Sequence, residues 1–174
     1  MPFEDSVKKA FGLEGEAWLR HANPWSVYTR IPIPALLVAA VWSRQWLGWW
    51  ALAAVGAVVA WMFVNPRAFP PPRSLDHWAS RAVLGEKYYG ARKERPIPKN
   101  HLVAPWVLTA INVAGVPFVV WGVVRYDVWL TLFGLAVHMA GKNWFLDRMA
   151  LLYDAMAEAD GAEVTAPGSP QPGD

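Results

Sequence analysis

The sequence contains no cysteine and little charge. Of its 174 residues, only 17 % are charged, and the net charge is +2. Without a thiol there is no disulfide, no thiolate nucleophile and no cysteine-ligated metal or iron–sulfur centre. The net charge is too small to indicate a nucleic-acid-binding protein, and no basic face with interleaved aromatic residues is present. Nucleic acid is therefore not an expected partner.

The two ends of the sequence carry no long apolar run. Residues 1–20, "MPFEDSVKKAFGLEGEAWLR", lack the apolar core and the small-residue cleavage site of a signal peptide. Residues 1–22 instead predict an amphipathic segment on the cytoplasmic side of a membrane. Residues 159–174 are rich in proline and glycine, which predicts a disordered tail.

Hydrophobic residues make up 55 % of the chain, and 12 residues are tryptophan. This composition is typical of membrane proteins, in which tryptophan collects at both interfaces. Four apolar runs are long enough to predict membrane-spanning helices: Trp25–Trp42, Trp46–Val64, Leu102–Val124 and Val128–Gly141, the last extending to Leu146. The first is the weakest, because it contains Arg30 and two prolines, and a helix that began at Ile33 would be too short to cross alone.

The connections between these runs predict two antiparallel hairpins. Only "SRQ" separates the first two runs and only "RYD" the last two, so each pair must be made of neighbours. Of the 16 lysine and arginine residues, 14 lie on the side opposite these turns. The positive-inside rule then places both ends of the chain and the middle loop, residues 65–101, in the cytoplasm. The predicted class is an all-α integral membrane protein with four spans.

The middle loop contains a predicted amphipathic helix. Four prolines in "NPRAFPPPR" end the second run, and Ser74–Tyr89 then shows apolar residues at helical spacing. We expect this helix to lie at the lipid headgroups, burying Leu75 and Trp78 and presenting Arg81 and Lys87 to anionic lipid.

Two polar residues fall inside the second predicted hairpin. Asn112 and His138 lie about ten residues into their runs, so an antiparallel hairpin places them at similar depth. Ionisable groups within a membrane are costly and are functional candidates by default. The alternative is structural: the pair forms an interhelical hydrogen bond that holds the hairpin.

A dense polar set follows the fourth run in "GKNWFLDRMALLYDAM". We expect it to pair with the middle loop, Asp147 with Arg67 or Arg81 and Asp76 with Arg148. Asp76, His77 and Asp147 are alternatively the candidates for acid–base catalysis or for a Mg²⁺ ion on a lipid phosphate. No zinc-protease, nucleotide-binding, serine-hydrolase or aspartate-rich prenyl-diphosphate motif is present, so no resident metal or cofactor is predicted.

The preferred function is non-catalytic. The cytoplasmic face is predicted to bind anionic membrane lipid or a partner protein, a second copy of the chain included. The alternatives are a small lipid- or isoprenoid-modifying enzyme, and an oligomeric transporter lined by Asn112 and His138. The candidate binding residues on the cytoplasmic face are Asn65, Arg67, Arg73, Trp78, Arg81, Lys87, Lys142, Asn143, Asp147 and Arg148.

Three segments carry a resemblance: "NPWSVYTRIPIPALL", "NPRAFPPPRSLDHWASRAVLGEKYY" and "GKNWFLDRMALLYDAM". The chain resembles an uncharacterised family of small prokaryotic membrane proteins known as a domain of unknown function, over roughly residues 23–156. The resemblance implies a membrane location and no established activity. The residues it carries over are Asn65, Pro66, Arg67, Asp76, Trp78, Arg81, Glu86, Asn143, Trp144, Asp147 and Arg148.

Overall fold

The computed structural model describes residues 16–165, with side chains from 18 to 161, and this part of the chain is helical without a strand. The all-α prediction is confirmed; the predictions for residues 1–15 and 166–174 lie outside the described residues. The helices are α1 (Glu16–His21), α2 (Pro24–Arg30), α3 (Ile33–Trp42), α4 (Arg44–Leu47), α5 (Ala51–Ala68), α6 (Trp78–Gly90), α7 (Val103–Arg125) and α8 (Val128–Thr165), with 3₁₀ turns at Gly48–Trp50 and Lys99–His101.

Helices α3 and α5 form the first hairpin. The first apolar run is divided at Pro32, and α3 begins at Ile33, since proline supplies no N–H group for a continuous helix. The chain reverses between α4 and α5 at Gly48, whose φ of 53° is unfavourable for residues with a side chain. The end of α5 returns to α2, where Asn65 accepts a 2.9 Å hydrogen bond from the Ser26 hydroxyl. The two arms are therefore antiparallel.

Helices α7 and α8 form the second hairpin around a left-handed residue, Tyr126, with φ of 57°. Asp127 then caps α8 by accepting a 3.0 Å hydrogen bond from the N–H of Leu130. Between the helices runs a seam of four glycines, Gly115 and Gly122 on α7 with Gly134 and Gly141 on α8, which we call the α7–α8 seam. A Cβ atom added at any of them would lie 2.5–2.6 Å from an atom of the facing helix. The two backbones are therefore in direct contact.

Helix α6 packs its apolar face on α8. Gly85 lies so close to α8 that a Cβ atom there would stand 1.8 Å from the carbonyl oxygen of Met149. Trp78 packs against Leu146 and Ala150. Helix α8 continues beyond the apolar run, and its stripe of Leu146, Met149 and Leu152 buries the apolar face of α6. The position of α6 at the lipid headgroups stays a prediction.

The start of α6 also differs from the prediction. The helix begins at Trp78, four residues after the predicted Ser74. The Ser74 hydroxyl instead accepts a 3.1 Å hydrogen bond from the N–H of Asp76 and donates to its carboxylate. This local turn competes with the first helical turn, as serine and aspartate commonly do.

The two hairpins meet at their turns. Arg44 donates hydrogen bonds to the Tyr126 hydroxyl at 3.0 Å and to the carbonyl oxygen of Val123 at 2.6 Å. Its guanidinium also lies 4.5 Å from the centre of the Tyr126 ring. We call this end of the molecule the turn end; it contains residues 43–50 and 126–127. The opposite end, which we call the loop end, contains residues 69–77 and 91–98.

Two stretches of the described chain are long and apolar enough to cross a membrane, Pro24–Ala68 and Lys99–Arg125. The first contains the reversal at Gly48 and is thus a hairpin rather than a single rod. Within their most apolar windows, only 6 % and 17 % of the residues are buried, unlike the core helix of a globular protein. Helix α8 does not meet the same criterion, so four separate spans stay a prediction.

Candidate functional site

A cavity of about 460 Å³ lies between the two hairpins at the loop end. We call it the inter-hairpin cavity. Its volume is within the ~300–1,000 Å³ typical of small-molecule sites. The apolar wall includes Ile31, Ile33, Pro34, Met62, Met139 and Leu146, and the polar lining consists of His21, Arg30, Glu86, Asn112, His138, Lys142 and Asn143.

Arg30 is a half-buried cation on the wall of this cavity. Its Nε donates a 3.1 Å hydrogen bond to the carbonyl oxygen of Ser26, and its Nη2 donates a 3.1 Å hydrogen bond to that of His21. These neutral acceptors hold the guanidinium in place without cancelling its charge. Among the described side chains no carboxylate forms an ion pair with Arg30.

His21 supports Arg30 from the end of α1. Its ring contacts the Arg30 guanidinium and stacks on Trp18, with ring centres 5.6 Å apart. Burial, followed by the nearby charges of Arg30 and Lys142, lowers the pKa of His21 to about 3. The imidazole is therefore neutral near pH 7 and can accept a hydrogen bond from Arg30.

The second cation of the cavity has a partner. Lys142 Nζ lies 3.2 Å from the Glu86 carboxylate and 5.1 Å from the centre of the Phe145 ring. Half of the Lys142 side chain is exposed, so this pair lies at the mouth of the cavity. Two cations and one carboxylate among the described lining residues leave the cavity with one excess positive charge.

The inner end of the cavity is formed by Asn112 and His138. The Asn112 amide nitrogen donates a 2.8 Å hydrogen bond to the carbonyl oxygen of His138 and lies 3.1 Å from the Nδ1 atom of its ring. His138 Nδ1 is also 3.1 Å from the backbone oxygen of Asn112. The structure thus brings together the two residues that their depth in the sequence predicted to meet.

The other predicted binding residues take different partners. Asp147 accepts a 3.2 Å hydrogen bond from the Trp78 indole, and Arg81 forms a 3.0 Å ion pair with Asp154. The expected pairing of Asp147 with Arg81 is therefore wrong, because Asp154 lies two turns further along α8, where α6 crosses it. Among the described side chains, Arg148 and Asp76 form no ion pair either, and the Nε of Arg148 is buried without a hydrogen-bond partner there.

The remaining members of the predicted set lie outside the cavity lining, apart from Asn143. Asn65 is fully buried and ties α5 to α2, donating a 2.7 Å hydrogen bond to the Thr29 hydroxyl. Arg67 donates to the carbonyl oxygen of Phe63, while Arg73 and Lys87 are exposed.

The three candidate acid–base groups, Asp76, His77 and Asp147, do not form a hydrogen-bonded set. Asp76 bonds to Ser74, and Asp147 bonds to Trp78. Within the described part of the chain, no group of three histidine or acidic residues is placed to hold a metal ion.

Sequence reasoning missed His21 and Arg30 as members of a site. The signal for Arg30 was present, since it is a charge inside an apolar run with no acidic residue nearby in sequence. His21 gave no signal, because its position depends on how the short helix α1 packs beside α2. Glu86 entered the predictions only among the residues that the family resemblance carries over.

The family comparison matches almost the whole chain. Residues 2–171 fit the model described as "Family of unknown function (DUF6653)", and the chain belongs to this family. No curated protein and no solved structure shows significant similarity to the chain. Family membership therefore supplies no activity, and the inter-hairpin cavity is the feature from which a function can be inferred.

Proposed function

We propose that this member of a family of unknown function is a four-span integral membrane protein that binds an anionic lipid in the inter-hairpin cavity. The four spans are α7, α8, α5 and the α2–α3 pair, with the loop end and the ends of the chain on the cytoplasmic side. The 14-to-2 distribution of lysine and arginine supports this orientation.

The exposed tryptophans support the membrane placement. Trp106 and Trp121 on α7, and Trp129 and Trp144 on α8, are each at least 60 % exposed. In both helices the two indoles are 15 residues apart, a rise of about 22 Å. Exposed apolar residues fill the interval, as expected for two aromatic belts bordering a hydrocarbon layer.

The polar residues of α8 fit the same placement. His138, Lys142 and Asn143 lower the average hydropathy of the helix, yet all three line the inter-hairpin cavity. Leu132 and Phe133 are exposed on its outer surface. Polar groups turned toward a cavity and away from lipid are the usual arrangement in membrane helices.

Arg30 is the observation that carries the ligand proposal. A partly buried guanidinium whose hydrogen-bond acceptors are all neutral is costly, and a ligand that supplies a negative charge offsets this cost. Lys142 is only two residues, about 3 Å of helical rise, from the exposed Trp144, so the mouth of the cavity lies near the headgroup level. A phosphodiester of a lipid, with one negative charge, matches the single excess positive charge. The apolar wall suits the adjoining glycerol and acyl chains.

Native mass spectrometry of the protein released from nanodiscs tests this proposal. The nanodiscs contain phosphatidylcholine with a minority of phosphatidylglycerol. We expect one retained phosphatidylglycerol per wild-type chain, and Arg30→Gln to lower its occupancy by ~10-fold or more, because a hydrogen bond to a charged group is lost.

Lys87→Gln is the matched control, since it removes one exposed cation from α6 outside the cavity. It should bind like the wild type, and both variants should remain folded, with a cooperative melting transition in detergent. If Arg30→Gln retains as much lipid as the wild type, or if Lys87→Gln loses as much as Arg30→Gln, the lipid is held by general surface charge and not by a specific site.

A further inference from the structure

The inner end of the inter-hairpin cavity contains a ring nitrogen without a protein partner. Every hydrogen bond of the His138 ring runs through Nδ1, and Nε2 bonds to no group in the described part of the chain. Nε2 is also not among the buried polar atoms, and His138 lines the cavity. The free nitrogen is therefore accessible to a molecule in the cavity.

The hydrogen bonds of Asn112 select the tautomer of this ring. The amide nitrogen has two hydrogens, and its two acceptors are the carbonyl oxygen and the Nδ1 atom of His138. If Nδ1 accepts, both amide hydrogens are satisfied and the ring proton is on Nε2. The alternative, with Nδ1 donating to the backbone oxygen of Asn112, leaves one amide hydrogen without a partner. Asn112 therefore holds His138 as a donor toward the cavity.

The position of His138 matches one part of a phospholipid. It lies one helical turn from Lys142 on the same face of α8, about 6 Å deeper in the predicted membrane. A phosphate held by Arg30 and Lys142 would place the oxygens of its glycerol backbone at that depth. Hydrocarbon alone would leave the Nε2 donor desolvated and unpaired, which is unfavourable.

On these observations, and given the proposed function, we propose that His138 is the specificity residue of the cavity. It donates a hydrogen bond from Nε2 to a glycerol-backbone oxygen of the bound lipid, and Asn112 positions it. The site then recognises glycerophospholipids as a class and disfavours lipids with the same charge but no glycerol.

Two lipids separate this inference from the proposed function. Phosphatidylmethanol and dihexadecyl phosphate each have two chains and one phosphodiester charge, but only the first contains glycerol. Competition between them, read by native mass spectrometry, should favour phosphatidylmethanol by ~10-fold in the wild type, the scale of one buried hydrogen bond. His138→Phe should remove the preference and still bind both, and His138→Gln, which keeps a donor, should restore part of it.

Each failure has a distinct result. Equal binding of both lipids by the wild type overturns the role of His138, and this comparison needs no variant to fold. Loss of both lipids in Arg30→Gln supports the phosphate site, and retention of both contradicts it. A third arm adds soluble sn-glycerol 3-phosphate to the nanodiscs. If it displaces the lipid at equal concentration, the ligand is a soluble phosphate and the lipid proposal is wrong.

Discussion

The α7–α8 seam and the inter-hairpin cavity are two helix interfaces of the same molecule with opposite chemistry. At the seam, four glycines bring two helix backbones into direct contact. At the cavity, the facing helices leave a space of about 460 Å³ that is lined in part by polar side chains, Arg30, Glu86 and Lys142 among them. The α7–α8 seam is closely packed, whereas the helices around the inter-hairpin cavity are not.

This difference is informative because lipid provides no hydrophobic force between helices. Close contact of small residues is then a main source of association between membrane helices. The α7–α8 seam uses this source along most of the length of α7. Under the proposed function, the cavity interface, which lacks this close packing and is lined by polar groups, is the one that binds a ligand.

The largest effect is expected from adding a methyl group at the seam. In Gly115→Ala the new Cβ atom would lie 2.6 Å from the carbonyl oxygen of Gly134, so the two backbones must separate. We expect a loss of ~3 kcal/mol or more in the free energy of unfolding, measured by denaturant titration in detergent.

Gly56→Ala is the matched control, since a Cβ atom there has nothing within 4 Å. It should raise stability by roughly 0.5–1 kcal/mol, the helix preference of alanine over glycine. If both substitutions have the same effect, α7 and α8 are not in backbone contact, and the contrast between the two interfaces is lost.

A smaller effect is expected from a change of charge at the cavity. Glu86→Gln removes the partner of Lys142 and raises the excess positive charge of the cavity by one. We expect phosphatidylglycerol to bind a few-fold more tightly, with a steeper dependence on salt. Titration of the lipid at two ionic strengths measures both quantities.

The control for this change is Asp154→Asn, which removes the partner of Arg81 outside the cavity. Each ion pair is partly exposed to solvent, so neither substitution should alter stability by more than about 1 kcal/mol. Weaker lipid binding after Glu86→Gln would mean that Glu86 itself contacts the ligand, which contradicts a site whose lipid phosphate is held by the two cations alone.

The sequence predicted the second hairpin well for a simple physical reason. When an uncharged run is bounded by charged or turn residues, only one placement of the helix fits it. The predicted run Leu102–Val124 differs from α7 by one residue at each end. The facing depth of Asn112 and His138 followed from the same reasoning. The first hairpin was harder, because Pro32 and Pro34 divide its first run and tertiary contacts decide where α3 begins.

The cavity could not be predicted, because its parts come from distant segments. The positions of His21 and Arg30 depend on how two short helices pack, and the position of Glu86 depends on the packing of α6 across α8. Amphipathic periodicity gave the buried face of α6 correctly from Trp78 onward, but Leu75, predicted to be buried, lies before the helix and is exposed. Periodicity did not show what buries the face, since lipid and protein accept the same apolar stripe. The apolar continuation of α8 as far as Met156 was the clue that a protein surface was available.

Single-cysteine labelling of intact cells tests the four-span arrangement itself, and the absence of native cysteine leaves no background. Gln45→Cys places an exposed thiol at the turn end, Arg125→Cys places one beside it at the last residue of α7, and Lys93→Cys places one at the loop end. With a membrane-impermeant maleimide, we predict labelling of the first two on whole cells, and of Lys93→Cys only after the membrane is opened. Labelling of Lys93→Cys on whole cells, or of only one of the two turn positions, would contradict the four-span arrangement and with it the position of the cavity.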